Sequence, residues 1–195
     1  MHRTTAAVAN CPSAEQARLL NAACRAALAA GAILRDRYEQ PHDITLKGAI
    51  NLVTEADLAA EAAIVTLLAS ATPEVAVMTE ETAATHSLER SGRFWVVDPL
   101  DGTTNFLHGI PHFCMSIAVE DPFGSQGKPE ITHGYVYQPI TDESFWAEKG
   151  RGAWVQDQRL RVSSRRDLAD TLITTGIPFL GHGNFAEWSR IFGAV

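Results

Sequence analysis

Trp95-Val96-Val97-Asp98-Pro99-Leu100-Asp101-Gly102-Thr103-Thr104-Asn105-Phe106 is the stretch on which the reading of this chain turns. Phe94 to Val97 is a short apolar run, the pattern of a buried strand. It ends on a carboxylate, Asp98, which Pro99 biases toward an extended conformation aimed beyond the strand. The chain is then expected to turn through the proline, present a second carboxylate at Asp101, and open a helical turn at Gly102-Thr103-Thr104. Two carboxylates held this close repel each other unless a cation or a proton sits between them. Backbone N–H groups at the start of a helical turn face an anion favourably. The stretch therefore reads as a place for a metal ion and a phosphate, against the plainer reading that aspartates near turns cap or close them.

Around this stretch lie 195 residues, 46% hydrophobic and 20% charged, enough for one good core in a soluble globular protein. The formal charge of -7 argues against a basic nucleic-acid-binding surface and would repel an anionic substrate unless cations are supplied locally. Cys11, Cys24 and Cys114 form no C-x-x-C pair, so neither a disulfide framework nor a zinc site is indicated, and a reducing cytoplasm fits. There is no signal-peptide-like apolar stretch behind Arg3 and no unbroken apolar run long enough to suggest a membrane span. Residues 1–12 read as a loose leader.

On the amino-terminal side, Ser13-Ala-Glu-Gln16 has the form of a capping box. Leu19, Leu20, Ala23, Ala27, Ala30, Ile33 and Leu34 recur at helical spacing until Pro41, which predicts a long helix over about residues 14–38. Asp43 to Leu46 reads as a short extended piece before Lys47-Gly-Ala-Ile-Asn51. Thr54-Glu-Ala-Asp57 starts a second helix, with Asp57 in its first turn, where its charge complements the helix dipole. Val75 to Met78 is a short strand that delivers Glu80 and Glu81 at its carboxyl end, and the polar stretch from there to Gly92 reads as a surface loop or flap.

On the carboxyl side, Phe113 to Val119, Ile131 to Tyr137 and Glu143 to Glu148 predict an antiparallel meander. Trp154-Val155 is expected to pair with Leu160 to Val162 across a hairpin at Asp157-Gln158. Leu172 to Thr175 reads as a final strand, and Asn184 begins a helical pattern. Strand runs mixed with a few helices point to an α+β architecture. His108 and His112 are separated by Gly109 and Pro111, which disfavours a helical zinc pair, and Cys114 reads as a small core residue. Phosphatases that use an aspartyl nucleophile carry their second aspartate two positions after the first. Here that position is Leu100, which favours attack by water over a phospho-aspartyl route.

Three blocks occurring in one order resemble the inositol monophosphatase family of magnesium-dependent, lithium-sensitive sugar phosphatases. They are Lys47-Gly-x-x-Asn-x-Val-Thr-x-x-Asp57, Met78-Thr-Glu-Glu81, and Trp95 to Phe106 with Pro111-x-Phe113-x-x-Ser116-Ile-Ala118. Thr174-Thr-Gly-Ile-Pro-Phe179 resembles a later block of bacterial members. The resemblance implies a layered αβαβα fold and two or three Mg²⁺ ions. Glu80, Asp98 and the Leu100 carbonyl would bind one ion, Asp98 and Asp101 a second, and Glu80 would help hold a third. Leu100, Asp101, Gly102 and Thr103 match the segment that cradles the substrate phosphate, with Glu80 alongside and Lys47 as a local cation. Asp57 and Thr103 match the pair that orients the attacking water.

The same resemblance implies a small phosphorylated substrate, myo-inositol 1-phosphate or a related ester, hydrolysed by metal-activated water. It implies a cytoplasmic enzyme that engages no nucleic acid or membrane, and, by family analogy, a homodimer. The family's further metal-ligating aspartate stands in a Trp-Asp motif beyond the Gly-Ile-Pro block, and no Trp-Asp occurs in these 195 residues. The chain accordingly reads as truncated at its carboxyl end. Residues 13–165 form the metal- and phosphate-binding α+β domain, and 166–195 begin a second α/β layer that is incomplete. Two rival readings are histidinol-phosphate phosphatase, which shares these motifs, and an inactive truncated family member with only a binding role.

Overall fold

The computed structural model describes residues 14–38, 44–47, 51–80, 92–124, 127–178 and 183–194. The leader, the loop at 48–50, Glu81 and the flap to residue 91 lie outside the described residues, as does the Ser13 cap. Two units divide the chain after Leu160.

In the first unit, helix α1 (Ala14–Arg37) carries Glu15 in its first turn and Arg35 and Arg37 in its last, charges that complement the helix dipole. Its buried face is made of Leu19, Leu20, Ala23, Ala26, Ala27, Ala30 and Leu34, mostly small side chains that let a neighbour approach closely. A hairpin of β1 (Ile44–Lys47) and β2 (Asn51–Thr54) leads straight into α2 (Glu55–Ala71), which buries Ala56, Ala60, Ile64 and Leu68 at intervals of one helical turn. The two helices pack on each other and on one face of a sheet. By length and composition α1 could cross a bilayer, but its apolar face is part of this core.

Among the described residues the sheet has seven strands in sequential order: β3 (Ala76–Thr79), β4 (Phe94–Asp101), β5 (Cys114–Asp121), β6 (Glu130–Gln138), β7 (Glu143–Glu148), β8 (Gly152–Val155) and β9 (Gln158–Arg159). Among these strands β3 and β4 run parallel and the other neighbour pairs are antiparallel. This is an α+β fold, as the strand pattern predicts. Alternate residues Trp95, Val97, Met115, Ile117, Val119, Tyr135, Tyr137 and Trp146 face the helices and are buried. Val96, Asp98, Ser116 and Ala118 lie on the opposite, half-exposed face.

Buried polar groups tie the layers together. The Trp95 indole donates to Thr72 Oγ1 at 2.9 Å, and that hydroxyl donates to the Leu68 carbonyl at 2.8 Å. Arg35 donates to the Tyr137 hydroxyl at 2.8 Å and to the Pro139 carbonyl at 3.2 Å, joining the end of α1 to the β6–β7 turn. The last hairpin turns at Gln156 and Asp157 into a return strand of Gln158–Arg159, and the Leu160 N–H adds one more bond, to the Ala153 carbonyl at 2.8 Å.

The second unit, Arg161–Val195, holds a 3-10 turn at Leu168–Asp170 and helix α4 (Phe185–Phe192). The expected start at Asn184 is correct: its side chain accepts the Glu187 N–H at 3.1 Å and caps the helix. Phe185, Trp188 and Phe192 stack along α4 with ring centroids 5.7 and 5.0 Å apart. The strand expected over Leu172 to Thr175 is absent. A strand needs a ladder partner, none is paired there among the described residues, and Leu172 is 86% exposed.

Candidate metal and phosphate site

Two parallel strands deliver two carboxylates side by side. Thr79 pairs with Val97, so the next residues, Glu80 and Asp98, leave adjacent strand ends together. Strands in a sheet are about 4.8 Å apart, which sets the scale of that separation. Both residues line one cavity of about 230 Å³ with Thr79, Ser116 and Ala118.

Asp101 reaches the same face through a feature the sequence reading placed wrongly. Rather than turning at Pro99, β4 continues to Asp101. Asp98 pairs with Ser116 and Asp101 with Cys114, so three steps on β4 oppose two on β5, a β-bulge. In a regular strand residues three apart point to opposite faces. The extra residue restores Asp101 to the face of Asp98, and Pro99, with no N–H to contribute, is suited to the unpaired position.

The consequence is a crowd of negative charge. The Asp98 carboxyl is pushed up from 3.8 to about 6, first by burial, then by the charges of Glu80 and Asp101, with the Leu100 N–H opposing the shift. That N–H donates to Asp98 Oδ1 at 3.1 Å. Cys114 is not the core residue expected. It is half-buried with its thiol 3.7 Å from Asp101 Oδ2, and burial followed by the Asp101 charge pushes it up to about 12.

Beyond the bulge, Gly102 is left-handed (φ 89°) and opens helix α3 (Thr103–Leu107), the helical turn the sequence predicts. A Cβ at Gly102 would lie 3.0 Å from the His112 carbonyl, so the backbone is held too close for a side chain. Thr103 Oγ1 donates to the Leu100 carbonyl at 2.9 Å, leaving that oxygen a second lone pair. Contacts that hold α3 and the turn after it include Asn105 Nδ2 donating to the His112 carbonyl at 2.7 Å, Tyr38 donating to the Gly109 carbonyl at 2.7 Å, and Phe106 packing edge-on to Phe113. His108 donates from its ring to the Thr104 carbonyl and is exposed, as is His112.

Helix α3 packs against β2, whose chain runs directly into α2. Asp57 lies half-buried in the first turn of α2. Lys47 is placed by its backbone pairing opposite Asn51 on the β1–β2 hairpin. The structure therefore joins Glu80, Asp98, Asp101, Leu100 and Thr103 around the carboxyl ends of β3 and β4, while Asp57 is placed by the first turn of α2. Ser116 and Cys114 are the neighbours that sequence reasoning left without a role beside the acids. The alternation from Cys114 to Val119 shows which residues share a face, but only the register with β4 shows what they oppose.

The donor set suits a hard divalent cation: carboxylate and carbonyl oxygens, with the charges acting most strongly on Asp98 both negative. Among the described residues no three carboxylate, imidazole or thiol groups close around one point, so several ligand positions would fall to water.

Comparison with known proteins gives the chain relatives over most of its length. The chain is 45% identical over 163 residues to the Nus factor SuhB of Pasteurella multocida, covering 83% of this chain and 58% of that protein. It is 44% identical over 172 residues to the inositol-1-monophosphatase of Rhizobium meliloti, covering 87% and 62%. The crystal structure of the extragenic suppressor protein suhB from Bartonella henselae superposes with a TM-score of 0.73 at 44% identity, covering 84% of this chain and 61% of that one. The chain thus spans about three fifths of the length of these relatives. The sequence profile of the inositol monophosphatase family matches residues 15–194, and the chain belongs to that family.

Proposed function

We propose that this chain forms the metal- and phosphate-binding part of a Mg²⁺-dependent phosphomonoesterase acting on myo-inositol 1-phosphate or a related small phosphate ester. The observation that carries the reading is the bulge at Pro99-Leu100, which puts Asp101 on the face where β3 and β4 deliver Glu80 and Asp98. Residues in these roles are Glu80, Asp98 and the Leu100 carbonyl for one ion and Asp98 with Asp101 for a second, Glu80 also serving a third. Bound there, the cations would supply Lewis acidity to the phosphoryl oxygens and the leaving alkoxide.

The remaining roles belong to the chain itself. Gly102, held in a left-handed conformation, lets the backbone of Leu100 to Thr103 approach a phosphate closely. The Thr103 hydroxyl, already aligned by the Leu100 carbonyl, and the Asp57 carboxylate orient the attacking water and accept its proton. Lys47 offsets the phosphate charge in a chain whose formal charge is -7. In-line attack by water needs no covalent enzyme intermediate, in keeping with Leu100 at the position where a phospho-aspartyl enzyme has its second acid.

The experiment is release of inorganic phosphate from myo-inositol 1-phosphate, with Mg²⁺ and with chelator, by the wild-type chain and by Asp98→Asn. Release that requires Mg²⁺ and falls by about 100-fold or more in the variant is expected. Release indifferent to both changes would sink the proposal.

A further inference from the structure

The exposed loop that returns the chain from α3 to β5, Gly109 to His112, is held by side chains from three different elements. Tyr38, just past the end of α1, donates to the Gly109 carbonyl at 2.7 Å. Gln138, the last residue of β6, donates from Nε2 to the Pro111 carbonyl at 3.1 Å. Asn105 of α3 donates from Nδ2 to the His112 carbonyl at 2.7 Å, and its own carbonyl accepts the Ile110 N–H at 2.9 Å. Asn105 thus grips both ends of the loop, one with its backbone and the other with its side chain.

The end of this loop bounds Gly102. A Cβ on Gly102 would meet the His112 carbonyl oxygen at 3.0 Å and the Phe113 Cα at 3.3 Å. The oxygen that Asn105 binds is therefore the one that lies against Gly102, whose left-handed φ of 89° sets the direction of the backbone from Leu100 to Thr103. Tyr38 holds the other end of the loop from a packed base: its ring centroid is 5.8 Å from that of Phe106 and 5.2 Å from that of Phe113.

The acids are held in another way. Asp98 and Asp101 are fixed by pairing with Ser116 and Cys114, and Thr79, the residue before Glu80, by pairing with Val97. A sheet ladder shares its load over many backbone bonds, whereas the loop depends on single side-chain donors. A change in the loop should consequently disturb Gly102 and leave the carboxylates where they are.

We infer that Asn105 is a positioning residue for the phosphate: through the His112 carbonyl it sets the backbone at Gly102, while Tyr38 and Gln138 hold the loop through which it acts. This role rests on the phosphatase reading, which gives the backbone of Leu100 to Thr103 to the phosphate, and it deepens that reading by separating what holds the phosphate from what holds the cations.

The test compares the wild-type chain with Asn105→Ala, which removes the donor without adding charge, and Tyr38→Phe, which keeps the rings and loses only the hydroxyl. Each chain is titrated calorimetrically with Mg²⁺ and then, saturated with Mg²⁺, with inorganic phosphate. Phosphate affinity is expected to fall by about tenfold in Asn105→Ala and about threefold in Tyr38→Phe, the range one hydrogen bond covers, with Mg²⁺ affinity within about twofold of wild type in both. In ¹H–¹⁵N spectra recorded without metal or phosphate, the Gly102 amide signal should move in Asn105→Ala while that of Ala118, paired with Val96 in the sheet, stays. A Gly102 signal that does not move in the folded variant, phosphate affinity equal to wild type, or Mg²⁺ affinity that falls in step with phosphate affinity would each overturn the inference. Wild-type chain that takes up no phosphate would overturn the phosphatase reading and this role with it, a failure told apart from the others because it shows before any substitution is made.

Discussion

Replacing Asp98 by asparagine is expected to stabilise the chain when no metal is bound and to remove its stabilisation by Mg²⁺. The metal-free site holds Asp98 at about 6 instead of 3.8, because burial and the neighbouring acids disfavour its charge. A shift of that size corresponds to about 3 kcal/mol, which solvent screening at a half-buried group reduces to about 1–2 kcal/mol. A raised folded-state pKa contributes stability that is full below 3.8 and is lost as pH rises through about 6. Wild-type chain should therefore lose about 1–2 kcal/mol between acidic and neutral pH that the variant does not lose. The asparagine can still accept the Leu100 N–H that Asp98 Oδ1 now takes at 3.1 Å, so the bulge keeps its internal bond. Urea unfolding followed by far-UV circular dichroism, in chelator near pH 4 and near pH 7.5, reads the effect. A variant less stable than wild type at neutral pH, or a difference that is the same at both pH values, would refute the electrostatic reasoning.

Three further substitutions probe the scaffold by the same unfolding assay. At Gly31 of α1 an added Cβ would overlap the ring edge of Tyr137, so Gly31→Ala should destabilise by about 1–2 kcal/mol although alanine is the better helix former by about 1 kcal/mol. Gly102→Ala places a side chain at φ 89° and 3.0 Å from the His112 carbonyl, which should cost about 2–3 kcal/mol and weaken phosphate binding in a competition titration. Arg35→Ala removes the donors to the Tyr137 hydroxyl and the Pro139 carbonyl, with an expected loss of about 1–2 kcal/mol; a loss near zero would mean that the end of α1 is held by packing alone.

Much of the first unit is legible in the sequence because its elements are periodic. Helix α1 announces itself through Leu19, Ala23, Ala27, Ala30 and Leu34, and strands β5 to β7 through alternation with large residues on one face. The acids of the site are legible as well, since strand ends followed by glycine and threonine are unusual places for unpaired charge. The bulge is not, because its cause is the pairing of β4 with β5 and not a local preference of Pro99 or Leu100. Cys114 was misplaced for the same reason: whether it faces the core or Asp101 depends on a register that no single strand encodes. Leu172 to Thr175 has strand composition, yet composition supplies no partner, and the backbone there stays outside any sheet.

The claim on which the functional reading stands is that Glu80, Asp98 and Asp101 hold divalent cations, with Asp98 shared between two of them. Calorimetric titration of the metal-free chain with Mg²⁺, repeated with Glu80→Gln, Asp98→Asn and Asp101→Asn, tests it most directly. Saturable binding by the wild-type chain is expected, weakened by each substitution by about tenfold or more. Wild-type chain that does not saturate with Mg²⁺, or variants that bind it as wild type does, would rule out a cation site built on these three acids.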